Sequence, residues 1–194
     1  MTATPPASSP TDRTKNLTDT QLRRLIYSNW DLQQALSALT FLLEECNYDS
    51  EYTSVELRRF RCFEATAIIA FSRPFEPGRN ETTLGLRTLG VRLTASEESL
   101  QQRILDLRGK VIAHSDEDEM HFTGEILEPL EDLPIRIPHF QYVESLYLGE
   151  GEAHALEHLL RRLLHRIASV LDELSKSAPE RLSQHKRPRS IRRR

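Results

Sequence analysis

Ten residues, Cys62 to Phe71 (CFEATAIIAF), are apolar on nearly every side when wound as a helix. A helix of that kind is buried, because no face of it is suited to water. Its neighbours must enclose it, so the segment predicts a helical bundle with this helix at the centre. Thr53 and Glu56 form a capping-box pair that opens the helix. Pro74 lies just past its end, where a helix cannot easily continue.

The remaining periodicity supplies the enclosing helices. Thr18 with Gln21 is another capping box, followed by Leu22, Leu25 and Ile26, then Leu32, Leu36, Leu39, Leu42 and Leu43, all at helical spacing. This reads as one long or kinked helix with a possible break at Ser28–Asn29, ending near Cys46–Asn47. Residues 84–93 read as a short helix, against which Gly85 and Gly90 count. Thr94 with Glu97 opens a further helix, on which Leu100, Ile104, Leu107 and Val111 fall within about 60° of arc. Glu152 to Ser175 carries Leu156, Leu160, Leu163, Ile167, Val170 and Leu174 in alternating steps of four and three, a strong amphipathic pattern.

Between these helices, Pro129, Pro134 and Pro138 exclude a long helix from residues 120–148. HFTGEIL and IPHFQYV contain β-formers and predict a small two-stranded or irregular excursion before the last helix. The fold class is therefore mainly all-α, a four- to five-helix bundle over residues 17–177. Residues 1–16, rich in Thr, Pro and Ser, and the basic segment 178–194 read as disordered tails.

Composition narrows the function. A chain of 194 residues with 38% hydrophobic content forms one core. No stretch approaches the roughly 20 apolar residues that span a bilayer, and residues 1–16 lack a signal-peptide core. No membrane association and a cytoplasmic location are expected. Cys46 and Cys62 lack metal spacing and read as buried free thiols. Arg181 to Arg194 supply +7 of a net charge of −3, leaving −10 on the rest. Arg187, Arg189, Arg192, Arg193 and Arg194 could hold RNA with salt-sensitive affinity, or form a solvated terminus.

The chemistry-bearing stretch is Leu107 to Asp116, LRGKVIAHSD. Arg108 is permanently cationic and forks onto phosphate oxygens, whereas His114 titrates near neutrality and can move a proton. On an ideal helix the two lie about 9 Å apart along the axis and about 120° apart around it. A two-fold dimer relaxes that geometry, because one chain's arginine can approach its partner's histidine. Taken alone, the pair reads more simply as a surface arginine and a helix-ending histidine that caps carbonyls. His154, His158 and His165 share one face of the last helix, but they lack a third-ligand pattern and read as a polar stripe rather than a metal site. The acids Asp116 to Glu119 read as solvated. No metal and no cofactor is expected.

Ala70, Phe71, Arg73, Pro74 and Phe75, followed by Leu107, Arg108, Lys110, Ala113, His114, Ser115 and Asp116, resemble two phrases of the HEPN superfamily (higher eukaryotes and prokaryotes nucleotide-binding), in its bacterial abortive-infection branch. The resemblance covers about residues 20–175. It implies a dimeric helical bundle and a metal-independent endoribonuclease leaving a 2′,3′-cyclic phosphate, acting in phage defence or as a toxin with a cognate antitoxin. Carried over, His114 is the acid/base, Arg108 stabilises the phosphorane-like transition state and Lys110 contacts phosphate. Gly109 stands where many active members have a polar residue. Asp116 stands where a tyrosine accompanies silencing by nucleotidyl transfer. Gly109, the acidic run Asp116 to Glu119 and the acidic body favour an alternative, a non-catalytic module that binds a nucleotide or a partner protein.

Overall fold

A computed structural model describes residues 17–77, 82–112, 122–127, 136–142 and 144–183. The chain is mainly helical, with a small antiparallel sheet before the last long helix. The elements are α1 (Asp19–Glu45), α2 (Ser54–Ser72), α3 (Ala95–Leu107), a π-helical turn (Arg108–Ile112), β1 (Phe122–Leu127), β2 (Ile137–Tyr142), α4 (Glu150–Ser177) and α5 (Pro179–Ser183). The tail 1–16 and residues 184–194 lie outside the described residues.

All three capping boxes form. The hydroxyls of Thr18, Thr53 and Thr94 accept from the backbone N–H groups of Gln21, Glu56 and Glu97, whose side chains accept in return from the threonine N–H groups. Helix α1 runs without a break through Ser28, which is fully buried. Ser28 falls on the same side as Leu25 and Leu32, so packing carries the helix across a weak helix former. Helices α2 and α4 pack on α1, and α3 bridges α2 and α4. The leucine stripe of α4 is buried as its spacing predicts.

The structure departs from the expectations in four places. Helix α2 is not sheathed all round, because Cys62 is exposed while Cys46 alone of the two thiols is buried. Residues 84–93 form turns rather than a helix. Gly90 adopts φ 65°, a left-handed conformation that glycine tolerates, and the Val91 N–H closes back on the Leu86 carbonyl at 2.9 Å. Segment 178–194 is not wholly a tail. Pro179–Ser183 is helical, and Arg181 bonds the Leu17 carbonyl and pairs with Asp19 at 3.0 Å. Proline suits the first turn of a helix, and the Arg181 contacts fasten that turn to the start of α1. Finally, α3 passes at Arg108 into a π turn, so ideal α-helical phase does not extend towards residue 114.

Strands β1 and β2 pair from Phe122↔Tyr142 to Leu127↔Ile137. One face gathers Phe122, Ile126, Phe140 and Tyr142, all exposed, and no described helix packs against it. The Phe140 ring lies so close over Gly124 that a Cβ there would stand 3.0 Å from it.

Glu64 is the charged side chain of the core, with no exposed surface. Its Oε1 accepts from the N–H groups of Tyr147 and Leu148 at 2.8 and 2.7 Å, which holds the approach to α4 against α2. Burial pushes its carboxyl above the ordinary glutamate value of 4.5, although those N–H groups, Arg61 and Arg103 pull the other way. The unfolded chain thus loses its proton first as pH rises, and stability falls with pH through the native titration. Glu64→Gln keeps an acceptor without a charge. Urea unfolding across pH should show its stability within about 1 kcal/mol of the parent at neutral pH, with the fall on raising pH above 4.5 flattened. Glu64→Leu orphans one buried and one partly buried N–H group and should lose about 2–4 kcal/mol. A second check concerns the thiols. Burial, Glu64 and Glu150 hold the Cys46 thiol in its protonated form, so a thiol reagent should label Cys62 alone in the native protein and both cysteines in urea.

Candidate anion-binding groove

Arg108 is the first residue of the π turn, directly after buried Leu107. That position puts it at the edge of the core with its guanidinium turned outward. Arg73 caps the C-terminus of α2, its N–H still bonded to the Ile69 carbonyl. Between them the phrase Ala70–Phe75 does local work. Phe71 is buried, and the Phe75 ring folds back on it at 5.2 Å between centroids. Pro74 ends the helix, its carbonyl accepting from the Leu84 N–H at 2.7 Å. The chain therefore turns at Arg73 and brings Glu76 and Pro77 round towards Arg108.

The result is a groove of about 460 Å³ lined by Arg24, Tyr27, Asp31, Arg73, Glu76, Pro77 and Arg108. The first three lie on α1, at i, i+3 and i+7, one face of the helix. Three guanidinium groups thus share the groove with two carboxylates. Arg108 Nε stands 3.3 Å from Glu76 Oε2, and Arg73 Nη1 stands 3.3 Å from Asp31 Oδ1. Arg24 donates to the Glu76 carbonyl at 3.0 Å and to the Thr82 carbonyl at 2.5 Å. The Arg73 and Arg108 side chains stay about half exposed. Glu76 is also partly open to solvent, and a pair of that kind contributes about 0–1 kcal/mol, so Arg108 can exchange partners at little cost, whereas Asp31 is largely enclosed.

The two sequence phrases, 35 residues apart by their arginines, therefore meet in one groove. His114 lies outside the described residues, two positions beyond the end of the π turn. Lys110 is exposed on that turn and is not among the groove-lining residues. Packing does not require glycine at Gly109, where an added Cβ would meet nothing within 4 Å. Arg187, Arg189, Arg192, Arg193 and Arg194 lie outside the described residues. His154, His158 and His165 are exposed on α4, and His154 stands 3.8 Å from Glu157. Among the described residues, no group of three or more His, Cys, Asp or Glu side chains is arranged to hold a metal ion. None of their helices is long and apolar enough to cross a membrane.

Sequence reasoning singles out Arg108 but assigns no role to Arg24, Tyr27, Asp31 or Glu76, and takes Arg73 only as part of a phrase. The i, i+3, i+7 spacing of Arg24, Tyr27 and Asp31 is the available signal, and it shows a shared face without showing what the face meets. No protein-family model, curated protein or solved structure matches this chain.

Chemically, the groove can bind an oxyanion. Arginine forks match the paired oxygens of a phosphodiester, and three of them flank a space large enough for one linkage. Anion affinity here should fall with salt. Removing one groove arginine should flatten the log–log salt dependence for a single-stranded oligonucleotide by about 0.7 for each phosphate it neutralises. Arg73→Ala and Arg108→Ala should each do so in anisotropy titrations. Arg161→Ala, which removes an exposed arginine paired with Glu157 on α4, should not.

Proposed function

We propose that this chain is a metal-independent endoribonuclease of the HEPN type, working as a homodimer in phage defence or as a toxin held by a cognate antitoxin. The observation that supports it most directly is the meeting of Arg108 with Arg24 and Arg73 around one open groove. The resemblance carried by the Arg73 and Arg108 phrases supplies the reaction.

In that reaction His114 takes the proton from a ribose 2′-OH. The freed oxygen attacks the adjacent phosphorus, and the P–O5′ bond breaks. A second imidazole, His114 of the other subunit, returns a proton to the leaving 5′-oxygen. The product is a 2′,3′-cyclic phosphate. Negative charge grows on the phosphorane-like oxygens at the moment of attack, and Arg108 is the cation that meets it. Fixed donors aimed at developing charge supply the largest single share of catalysis in many enzymes.

A second reading is a module that binds a nucleotide or a partner without cutting RNA. Gly109 and the existing Arg108–Glu76 and Arg73–Asp31 pairs favour it.

The two readings separate in one assay. RNA incubated with the protein in a chelator should acquire 2′,3′-cyclic phosphate ends. His114→Ala should slow cleavage by about 10²–10⁴-fold and Arg108→Ala by about 10²–10³-fold. Far-ultraviolet circular dichroism should be unchanged in both. Undiminished cleavage by His114→Ala would sink the assignment, whereas nucleotide binding without any cleavage by the parent protein would establish the second reading.

A further inference from the structure

The α1 face that enters the arginine groove continues past it as a row of exposed aromatics. Tyr27 lines the groove itself and is 56% exposed. Trp30, the chain's single tryptophan, follows at i+3 and is 62% exposed. Phe41 lies farther along and is 49% exposed. At 100° per residue Tyr27, Trp30 and Phe41 fall within about 60° of arc. That arc is turned away from the buried stripe of Leu25, Leu32 and Leu39. Trp30 and Phe41 line a second groove, of about 570 Å³, whose other wall includes Phe63 and Thr66 of α2. Among the described residues, no carboxylate lines this second groove, and the polar groups on it are amides and hydroxyls. A further arginine stands at its far end, where the Arg59 guanidinium, paired with Glu45 in an exposed ion pair, lies 6.0 Å from the Phe63 ring centroid.

We infer that this stripe is a stacking track for unpaired bases, so that the strand held by Arg24, Arg73 and Arg108 is single-stranded RNA running along α1 from Tyr27 to Trp30 and into the Phe41–Phe63 groove. The inference rests on the ribonuclease reading for its substrate class and adds the strand's conformation and path. Three features select this occupant. The stripe is continuous with the arginine groove, because Tyr27 belongs to both. Half-exposed, ion-paired arginines flank an uncharged channel, which places guanidinium groups beside aromatic faces as phosphates beside stacked bases require. The first two aromatic faces, Tyr27 and Trp30, are presented about one helical turn apart, and such faces accept any base but cannot reach bases paired inside an A-form duplex.

The native protein carries its own reporter, since its tryptophan emission comes from Trp30 alone. A 2′-O-methyl oligoribonucleotide of about 12 residues lacks the nucleophilic hydroxyl and stays intact during titration. It should quench Trp30 emission. The same oligonucleotide in a duplex, and an abasic strand of equal charge, should bind through the arginines without quenching. Tyr27→Ala should weaken the unpaired strand by about 5- to 100-fold while leaving the salt slope unchanged, whereas Arg73→Ala should lower that slope. Binding of the intact and abasic strands with equal affinity and no change in emission would overturn the inference. So would emission that shifts with protein concentration alone, which would make the stripe a face for a second copy. The two readings fail separately. Quenching without RNA cleavage by the parent protein removes the ribonuclease and keeps the track. Cleavage unaltered in Tyr27→Ala and Trp30→Ala, with no quenching, removes the track and keeps the ribonuclease.

Discussion

The carboxylate of Glu64 is the constraint on which the arrangement of helices depends. It sits inside α2, fully enclosed, and accepts two N–H groups from the segment that enters α4. Around it Arg61 bonds the Tyr147 hydroxyl, and Arg103 of α3 donates to the Tyr147 carbonyl at 2.8 Å. Arg58 grips Glu144 nearby. Three helices are thereby joined at a few backbone atoms of one crossing segment. Apolar packing alone is non-directional and would let α4 slide along α1. Hydrogen bonds to a buried carboxyl oxygen have fixed geometry and fix the level at which α4 begins. The seat of α2 in turn determines where Arg73 leaves the helix.

Much of the fold is legible where local rules and burial agree. Thr18, Thr53 and Thr94 mark helix starts, since each has an amide or carboxylate three residues on that completes a reciprocal pair. The α4 stripe is legible because its period is unbroken. The hairpin is legible from proline exclusion and β-formers. What escapes reading depends on tertiary partners. Glu64 is one charge in an apolar run, a hint of a buried partner, but Tyr147 and Leu148 lie more than 80 residues away. Cys62 looks enclosed because its neighbours are apolar, yet α1 leaves that side of α2 open. Pro179 reads as a tail residue until Arg181 is seen to reach Leu17. The π turn has no composition signal in RGKVI. Of the candidate site, Arg108 and its relation to Arg73 are legible as phrases, whereas Arg24, Tyr27 and Glu76 need the fold.

The hairpin shows a different balance. Its polar positions, Thr123, Glu125, His139 and Gln141, share one face, and its aromatic positions share the other. Phe140 covers Gly124 and Phe122 meets Phe140 edge-on at 6.0 Å, so the aromatic face packs partly on itself. Two strands alone are marginal in water. The cross-strand rings contribute to the support of this arm.

The pairs Arg108–Glu76 and Arg73–Asp31 have a consequence for any visitor to the groove. These donors are not vacant, because the protein's own acids act as incumbents. An anion arriving at Arg73 or Arg108 competes with a carboxylate rather than settling on a bare cation. Weak monovalent ions gain little by that exchange, since each trades one poor partner for another. A polyanion would compete with both acids together and would release its own condensed counterions as it did so. The acids thus set a threshold that any anion would have to exceed, one that linked charges would clear more readily than a single ion.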